Sequence, residues 1–509
     1  MSNTTISENQ AGIAGAVSAG LALGLTELIA GITSLVPSAI ASVGSVIIDI
    51  SPRFVKEFAI NVFGTADKGA LAIGTAIVGV LIGWLVGRAA RTRPWVPWVA
   101  FGIFALVGIA ASLDAVDISV PLTILAILGS ALAGVFTLRA MTTVVETPTD
   151  GLASNPQRRR FLAQAAGVGT VAAVAGLGGR QLIIARSEEV RQSVALPVAD
   201  LTVPVPPPEA QFLNVPDLTP IVVPNDEFYR IDTALVVPRP DPETWRLKIT
   251  GMVDNEVEFS LDDLMKLPLY EQYVTIACVS NEVGGDLIGN AKWTGVRLVD
   301  LLEQAGVQDS AEQLLSRSVD GWTSGFPVEL AFDGRDPLLA IGMNGVPLPP
   351  SHGFPARLIV PGLYGYVSAT KWIEEIELTT WEGVDGYWIP RGWSKEAPIK
   401  THSRIDHPRR RETVTEDPVV IAGVAWAPTR GIDRVEVQVD DGAWVECELT
   451  SPLSDRAWVQ WKVELPLGSG DHLARVRATD GTGTTQTAAK QRSAPDGATG
   501  YHEIEFKVG

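Results

Sequence analysis

Cysteine is scarce in this chain: Cys278 and Cys447 are the only two in 509 residues. Thiols that far apart build no disulfide framework. No Cys-x-x-Cys-His motif is present, so no c-type haem is attached. Histidine is nearly as rare, with His352, His402, His407, His472 and His502 all in the last third. The first part therefore has no histidine pair to hold a haem. Acids are few there too, and most of the net charge of −18 falls in the second half. An acidic domain is a poor match for nucleic acid, whose phosphates call for a basic surface. It suits a soluble domain that stays off an anionic membrane surface.

Long apolar runs occupy the first part. About 20 apolar residues cross a bilayer. Four stretches meet or approach that length: Ala11 to Val36, Ala70 to Val86, Val96 to Leu113 and Ile118 to Leu138. A fifth, Ala/Gly-rich, runs from Phe161 to Ile184, and the shorter Ser38 to Ile50 reads as interfacial or re-entrant. Arg88, Arg91 and Arg93 follow the second run, Arg139 ends the fourth, and Arg158, Arg159 and Arg160 precede the fifth. Basic loops face the cytoplasm. The loop with Asp114 and Asp117 then faces out, as does everything after the fifth run. Arg158-Arg159-Arg160-Phe161-Leu162, ahead of a weakly hydrophobic segment, is similar to a twin-arginine export signal; the alternative is an ordinary positive-inside loop. That route exports folded, cofactor-loaded proteins. Glu27 is an acid well inside a run, read either as functional or as a cap or pair within a bundle.

These features divide the chain into a transmembrane region of about five helices over 1–186, a Pro-rich linker over 187–224, a mixed α+β core over 225–405 and a β-sandwich over 406–509. The linker, with Pro204, Pro206, Pro207 and Pro208, reads as an extended tether. Alternating strand-like and amphipathic runs indicate α+β. Short strands at about ten-residue spacing indicate a sandwich, with Trp426, Trp444, Trp458 and Trp461 in its core. Cys278 ends the β-branched run Val274-Thr275-Ile276-Ala277 and precedes a polar turn. Such a thiol is either a small buried hydrophobe or a soft ligand for a heavy metal.

Ordered blocks narrow the choice: Asn225-Asp226-Glu227-Phe228-Tyr229-Arg230, Ala277-Cys278-Val279-Ser280-Asn281, Trp293-Thr294-Gly295-Val296, Met343-Asn344-Gly345-Val346-Pro347-Leu348-Pro349, His352-Gly353-Phe354-Pro355-Ala356-Arg357, and Val360-Pro361-Gly362-Leu363-Tyr364-Gly365 leading to Lys371-Trp372. Together they resemble the sulfite oxidase family of molybdenum enzymes over about Asp217 to Val508. The resemblance implies a sulfite-oxidase-like molybdopterin-binding core followed by an immunoglobulin-like dimerisation domain. It implies a molybdenum–molybdopterin cofactor with Cys278 as the metal's protein ligand. Phe228, Tyr229 and Arg230 match residues lining the cofactor. His352 and Arg357 match residues binding the pterin and its phosphate, Lys371 with Ser368 and Thr370 a further contact, and Asp320 another position in the site. Arg230 and Tyr387 are expected to orient the substrate.

The sequence departs from vertebrate and plant sulfite oxidases. No haem domain is present, Tyr387 is shifted from the catalytic tyrosine, and Glu282 stands where those enzymes carry arginine. A carboxylate there lowers the positive potential an anion such as sulfite needs, although Arg230, Arg391 and Arg404 remain to supply charge. The reading is a membrane-anchored molybdenum oxidoreductase performing oxygen-atom transfer on a small oxyanion or oxo substrate, active site outside the cytoplasm. It works with an external electron carrier, cytochrome or quinone, and as a homodimer. A reductive oxo-transferase on sulfoxides or N-oxides, and a non-catalytic cofactor-binding sensor or scaffold, are the alternatives. The run Arg409-Arg410-Arg411 is either a solvated face or a dock for an acidic acceptor.

Overall fold

The computed structural model describes residues 7–51, 67–113, 118–143, 156–235 and 237–509. The loop carrying Asp114 and Asp117 lies outside them. The chain forms two units, one of residues up to 189 with 233–237, the other of 190–232 with 238–509.

The first unit is helical: α1 (Glu8–Ile32), α2 (Ala39–Ile50), α3 (Asp67–Ala90), α4 (Val96–Ser112), α5 (Val120–Thr142) and α6 (Pro156–Ser193). Ser7 caps α1 in a capping box with Gln10. Four helices, Glu8–Ile32, Gly69–Ala90, Val120–Thr142 and Arg159–Ser193, are long and apolar enough to cross a membrane. The expected span at Val96 is shorter, a helix of 17 residues. At 1.5 Å per residue it reaches about 25 Å, below the ~30 Å of a hydrocarbon core. Helices α1 and α3 approach closely at Gly15, Gly83 and Gly87, where an added Cβ would strike the facing backbone. Glu27 is buried and accepts a hydrogen bond from Ser38 Oγ at 2.5 Å. Ser38 in turn caps α2. Glu27 thus has a hydrogen-bond partner among the helices.

Helix α6 continues past the expected start of the linker at residue 187. Residues 187–193 contain Glu, Arg and Gln, good helix formers, and no glycine or proline. The Pro-rich segment that follows is not a free tether. Leu201 forms a β-bridge with Tyr270, the Tyr273 hydroxyl donates to Pro204 O at 3.1 Å, the Phe212 N–H donates to Gln460 Oε1 at 2.7 Å, and Trp458 Nε1 donates to Ile221 O at 2.8 Å. Proline removes donors but keeps its carbonyl, and side chains of the neighbouring strands supply the missing partners.

The second unit holds two core sheets. One has the order β2-β1-β10-β5-β6, built from β1 (Arg246–Gly251), β2 (Val257–Ser260), β5 (Gln313–Ser318), β6 (Thr323–Pro327) and β10 (Ile373–Thr379), with β1 parallel to β10. The other has the order β3-β4-β7-β8, from β3 (Tyr270–Ala277), β4 (Ile288–Arg297), β7 (Leu338–Met343) and β8 (Val346–Pro347), with β9 (Arg357–Ile359) against β7. Helix α7 (Leu261–Leu264) is a single turn; α8 (Leu298–Ala305) buries Leu298, Leu301, Leu302 and Ala305 on one face, the 3.6-residue spacing that binds it to the sheets. A last short helix, α9, spans Gly365–Ser368.

The β domain begins inside the expected core, at β11 (His402–His407). Its sheets are β11-β13-β17-β16 and β12-β19-β18-β14-β15. Here β12 is Thr413–Val414, β13 Val419–Trp426, β14 Ile432–Val439, β15 Val445–Glu446, β16 Glu448–Leu449, β17 Val459–Leu465, β18 Gly470–Asp480 and β19 His502–Val508. Both sheets contribute to one apolar cluster with Trp461 at its centre. Trp426 and Trp458 instead belong to the cluster of the core domain, and Trp444 is half-buried with Arg477 4.2 Å over its ring. Only one of the four expected tryptophans thus fills the sandwich; two weld it to the core.

Candidate active site

Strand β3 delivers Cys278. Val274 to Ala277 are buried although β3 stands at the edge of its sheet, and these are the β-branched and small residues a covered strand takes. The strand stops because the chain turns: the Cys278 N–H donates to Leu287 O at 2.9 Å, and Asn281 Oδ1 takes the Leu287 N–H at 2.9 Å. The Cys278 Sγ, 8% exposed, accepts the Ser280 N–H at 3.4 Å. Burial pushes the thiol pKa up, against the pull of Ser280 and of the Lys371 charge. Without a metal the group is a thiol; a bound metal ion would deprotonate it.

Phe228 and Tyr229 stack at 5.2 Å, and Phe228 meets Trp293 at 5.8 Å and His352 at 5.7 Å edge-on. Gly289 is required there, because a Cβ would lie 2.6 Å from the Phe228 ring. Burial and the neighbouring Cys278 push the Tyr229 hydroxyl well above the usual tyrosine range.

His352 is 3% exposed, and its Nε2 lies 2.9 Å from Asn225 O. A carbonyl only accepts, so the proton is on Nε2 and Nδ1 presents a lone pair. That Nδ1 is buried with no hydrogen-bond partner. Burial, Lys371 and Arg357 hold the ring neutral, its pKa lowered to about 3. Arg357, five residues on, donates from Nη1 to His352 O at 3.0 Å and lies 5.1 Å over Trp293. Its Nε has no partner, and among the described residues no carboxylate is within ion-pair reach. Burial lowers its pKa to about 10. Gly353, at φ +112°, lets the Arg357 and Lys371 segments close, since a Cβ would sit 3.0 Å from Arg357 Cβ and 3.1 Å from Lys371 Cα.

Lys371 Nζ, 9% exposed, donates to Asp232 Oδ2 at 3.0 Å and to Ser351 O at 3.0 Å. Its pKa is lowered to about 8, by burial first, with Asp232 opposing. Asp232 also takes Arg230 Nε at 3.0 Å. Asp232 was not singled out in the sequence. Its signal was the Arg230-Ile231-Asp232 spacing, which puts both charges on one side of an extended segment.

Other expected residues turn inward or stand at the rim. Ser368 Oγ donates to Tyr364 O at 3.0 Å. Thr370 Oγ1 shares a hydroxyl cluster with Ser316 Oγ at 2.6 Å and Ser324 Oγ at 2.8 Å. Both hydroxyls are thus engaged within the protein. Asp320 is exposed beside β6, and the protein packed around its carboxyl, with Asp232 adding, raises its pKa. The Tyr387 N–H donates to Thr323 O at 2.9 Å, and the Arg391 guanidinium lies 3.6 Å over the Tyr387 ring. Arg404 is engaged by Asp406 at 2.6 Å, Gly285 O at 2.7 Å and Thr219 at 2.7 Å, so it ties elements together and has no charge to lend a substrate. Glu282 accepts the Ser493 N–H at 3.3 Å, which uses one of its oxygens.

Among the described residues, a buried guanidinium with no direct ion pair, a buried imidazole lone pair without a donor and a buried thiol make one unfinished site. The residues fit an anionic, hydrogen-bonding group carrying a soft metal.

Comparison with known proteins agrees. Residues 234–388 match the oxidoreductase molybdopterin binding domain and residues 395–506 the Mo-co oxidoreductase dimerisation domain. Human (Homo sapiens) mitochondrial sulfite oxidase is 32% identical over 312 residues, 52% of this chain and 56% of that protein. The uncharacterized oxidoreductase YuiH of Bacillus subtilis is 37% identical over 153 residues, 30% of this chain and 74% of its own. The crystal structure of the sulfane dehydrogenase SoxCD from Paracoccus pantotrophus shares the fold, with TM-score 0.50 and 23% identity over 57% of this chain and 82% of that one. The chain spans about half the length of the mammalian sulfite oxidases it matches, 56% for the human protein.

Fold and site thus define a molybdopterin-dependent oxidoreductase. Within that class the chain belongs to the sulfite oxidase family, and its cofactor is molybdenum held by molybdopterin.

Proposed function

We propose that this chain is a membrane-anchored enzyme performing oxygen-atom transfer on a small oxyanion or oxo substrate, with its active site outside the cytoplasm. The observation that carries the reading is Arg357, a buried guanidinium with no carboxylate within ion-pair reach among the described residues, close enough to act on neutral His352 and, with Cys278, on Tyr229. Bound there, molybdopterin supplies a molybdenum centre that exchanges an oxo group and takes up or releases two electrons. Cys278 is the protein's ligand to the metal. Arg357 and Lys371 hold the phosphate, the first as a fork and the second as a point charge. His352 Nδ1 accepts a hydrogen bond from the pterin. Phe228 and Tyr229 line the cofactor, the backbone at Ser368 and Thr370 contacts it, and Asp320 stands at its edge. Arg230, and Tyr387 with Arg391, orient the substrate.

The membrane reading rests on the four long apolar helices and on the exposed Leu81, Leu85, Leu106, Leu125, Phe136 and Leu177, which water would not favour. Basic residues at Arg88 to Arg93 and at Arg159 and Arg160 put those ends in the cytoplasm, and Arg158 to Leu162 serve as a twin-arginine-like signal. The β domain is immunoglobulin-like and pairs two copies into a homodimer, in keeping with the dimerisation domain it matches. Electrons pass to or from an external carrier, a cytochrome or quinone.

One observation favours the reductive alternative on sulfoxides or N-oxides. Asp232 engages both Arg230 and Lys371 and so weakens the positive potential an anion needs. The test is full-length protein made in a host that supplies molybdopterin. Stoichiometric molybdenum, and faster turnover of either sulfite or a sulfoxide, would support the enzyme and choose its direction. A folded chain without molybdenum, from a host that loads a known family member, would sink the proposal.

A further inference from the structure

We propose that Asp217, His407 and Glu412 form a second metal site, for a divalent ion of the zinc class, built from none of the molybdopterin-binding residues. A ligand atom from each lies within 4.8 Å of the other two. His407 ends β11 and is 3% exposed, yet neither Nδ1 nor Nε2 has a hydrogen-bond partner. The nearest carboxylate oxygen to Nε2, Glu416 Oε2 at 3.9 Å, is too far for a hydrogen bond. A buried imidazole with both nitrogens unused leaves its desolvation uncompensated, and a metal ion is the partner that two adjacent carboxylates would bring.

The two acids are already oriented. Arg409 donates its guanidinium to Asp217 Oδ1 and its N–H to Glu412 Oε2, at 2.6 Å for the latter. Among the described residues the second oxygen of each acid has no hydrogen-bond donor. Asp217 is held at φ +56°, and Glu412 closes the turn into β12. One imidazole nitrogen and two carboxylates are a donor set that suits a dication. Zinc takes such donors at about 2.0–2.2 Å, hence about 3.4 Å apart in a tetrahedron. Rotation of the exposed Asp217 side chain away from Arg409 would close that gap, with Glu416 or water in the fourth position. Calcium and magnesium prefer all-oxygen shells, whereas the imidazole nitrogen in this set suits zinc. The ion would staple the segment preceding the core to the first turn of the β domain.

The test uses full-length, tag-free protein stripped by a chelator and dialysed against zinc, with zinc and molybdenum counted per chain and thermal unfolding followed. Expected are one zinc per chain and a midpoint that rises with free zinc, as ligand linkage requires. Asp217→Asn and Glu412→Gln, which leave the apolar core untouched, should weaken zinc binding by more than the about 10- to 100-fold that outer-shell changes cost. His407→Ala should abolish it, while His472→Ala, at the histidine paired with Asp440, should bind as wild type. No zinc uptake by the stripped wild type, or wild-type affinity in Asp217→Asn and Glu412→Gln, would overturn the site.

Discussion

The Asp232 carboxylate meets the Lys371 ammonium at 3.0 Å, across 139 residues of sequence. Both side chains are nearly buried, at 7% and 9% exposed. The need is one-sided: Asp232 keeps Arg230 as a second partner, whereas Lys371 without Asp232 would be an uncompensated buried charge. Asp232→Asn should therefore destabilise the cofactor-free protein by about 3–5 kcal/mol, measured as a fall in its unfolding midpoint. In the loaded enzyme the phosphate takes over part of the neutralisation, so the loss should shrink. An equal loss in both forms would separate Asp232 from the cradle.

Cys278→Ser replaces a soft ligand by a hard one. Protein loaded in the same host should show altered molybdenum coordination by X-ray absorption, with a sulfur neighbour missing, and no oxo-transfer activity. Retained activity with an unchanged sulfur count would remove Cys278 from the metal.

Arg357→Lys keeps the charge but loses the fork. Each charge-assisted hydrogen bond is worth about 1.5–3 kcal/mol. Retention of molybdopterin on dilution should fall about 10- to 150-fold per bond lost, followed by release of the fluorescent pterin. Unchanged retention would mean that Arg357 does not hold the phosphate.

Acid should destabilise the protein through its buried histidines. His352 is lowered to about 3 and His402 to about 4, each chiefly by burial. Below the ordinary histidine value of 6.5 the unfolded chain binds protons the folded chain refuses. Their contribution is complete above that pH and is lost as pH falls toward the folded values, by about 2 kcal/mol each at pH 5. His352→Gln and His402→Gln should flatten the acid limb of the unfolding-midpoint curve. An unaltered slope would contradict the burial of these rings in neutral form.

Much of the site was legible because its residues are close in sequence or end regular elements. Cys278 terminates a β-branched run, and His352 and Arg357 share one Pro/Gly turn. Asp232 was only half legible: the Arg230-Ile231-Asp232 spacing offers its near partner, but Lys371 arrives from 139 residues away and nothing local announces it. The hydroxyl cluster of Ser316, Ser324 and Thr370 was hidden for the same reason: three elements must meet before it exists. Alternation revealed the β domain, but not that Trp426 and Trp458 face out of it into the core domain. The proline run read as a tether because composition displays missing donors and not the carbonyls that other strands use.

That proline run decides where the catalytic half can be cut free. Residues 190–224 act as a selvedge along the edges of both the core and the β domain, fixed at Tyr270, Tyr273, Trp458 and Gln460. A fragment starting at 225 would tear it off, baring the indole of Trp458 and the amide of Gln460 together. A fragment that keeps these contacts starts near residue 190, where the second unit itself begins.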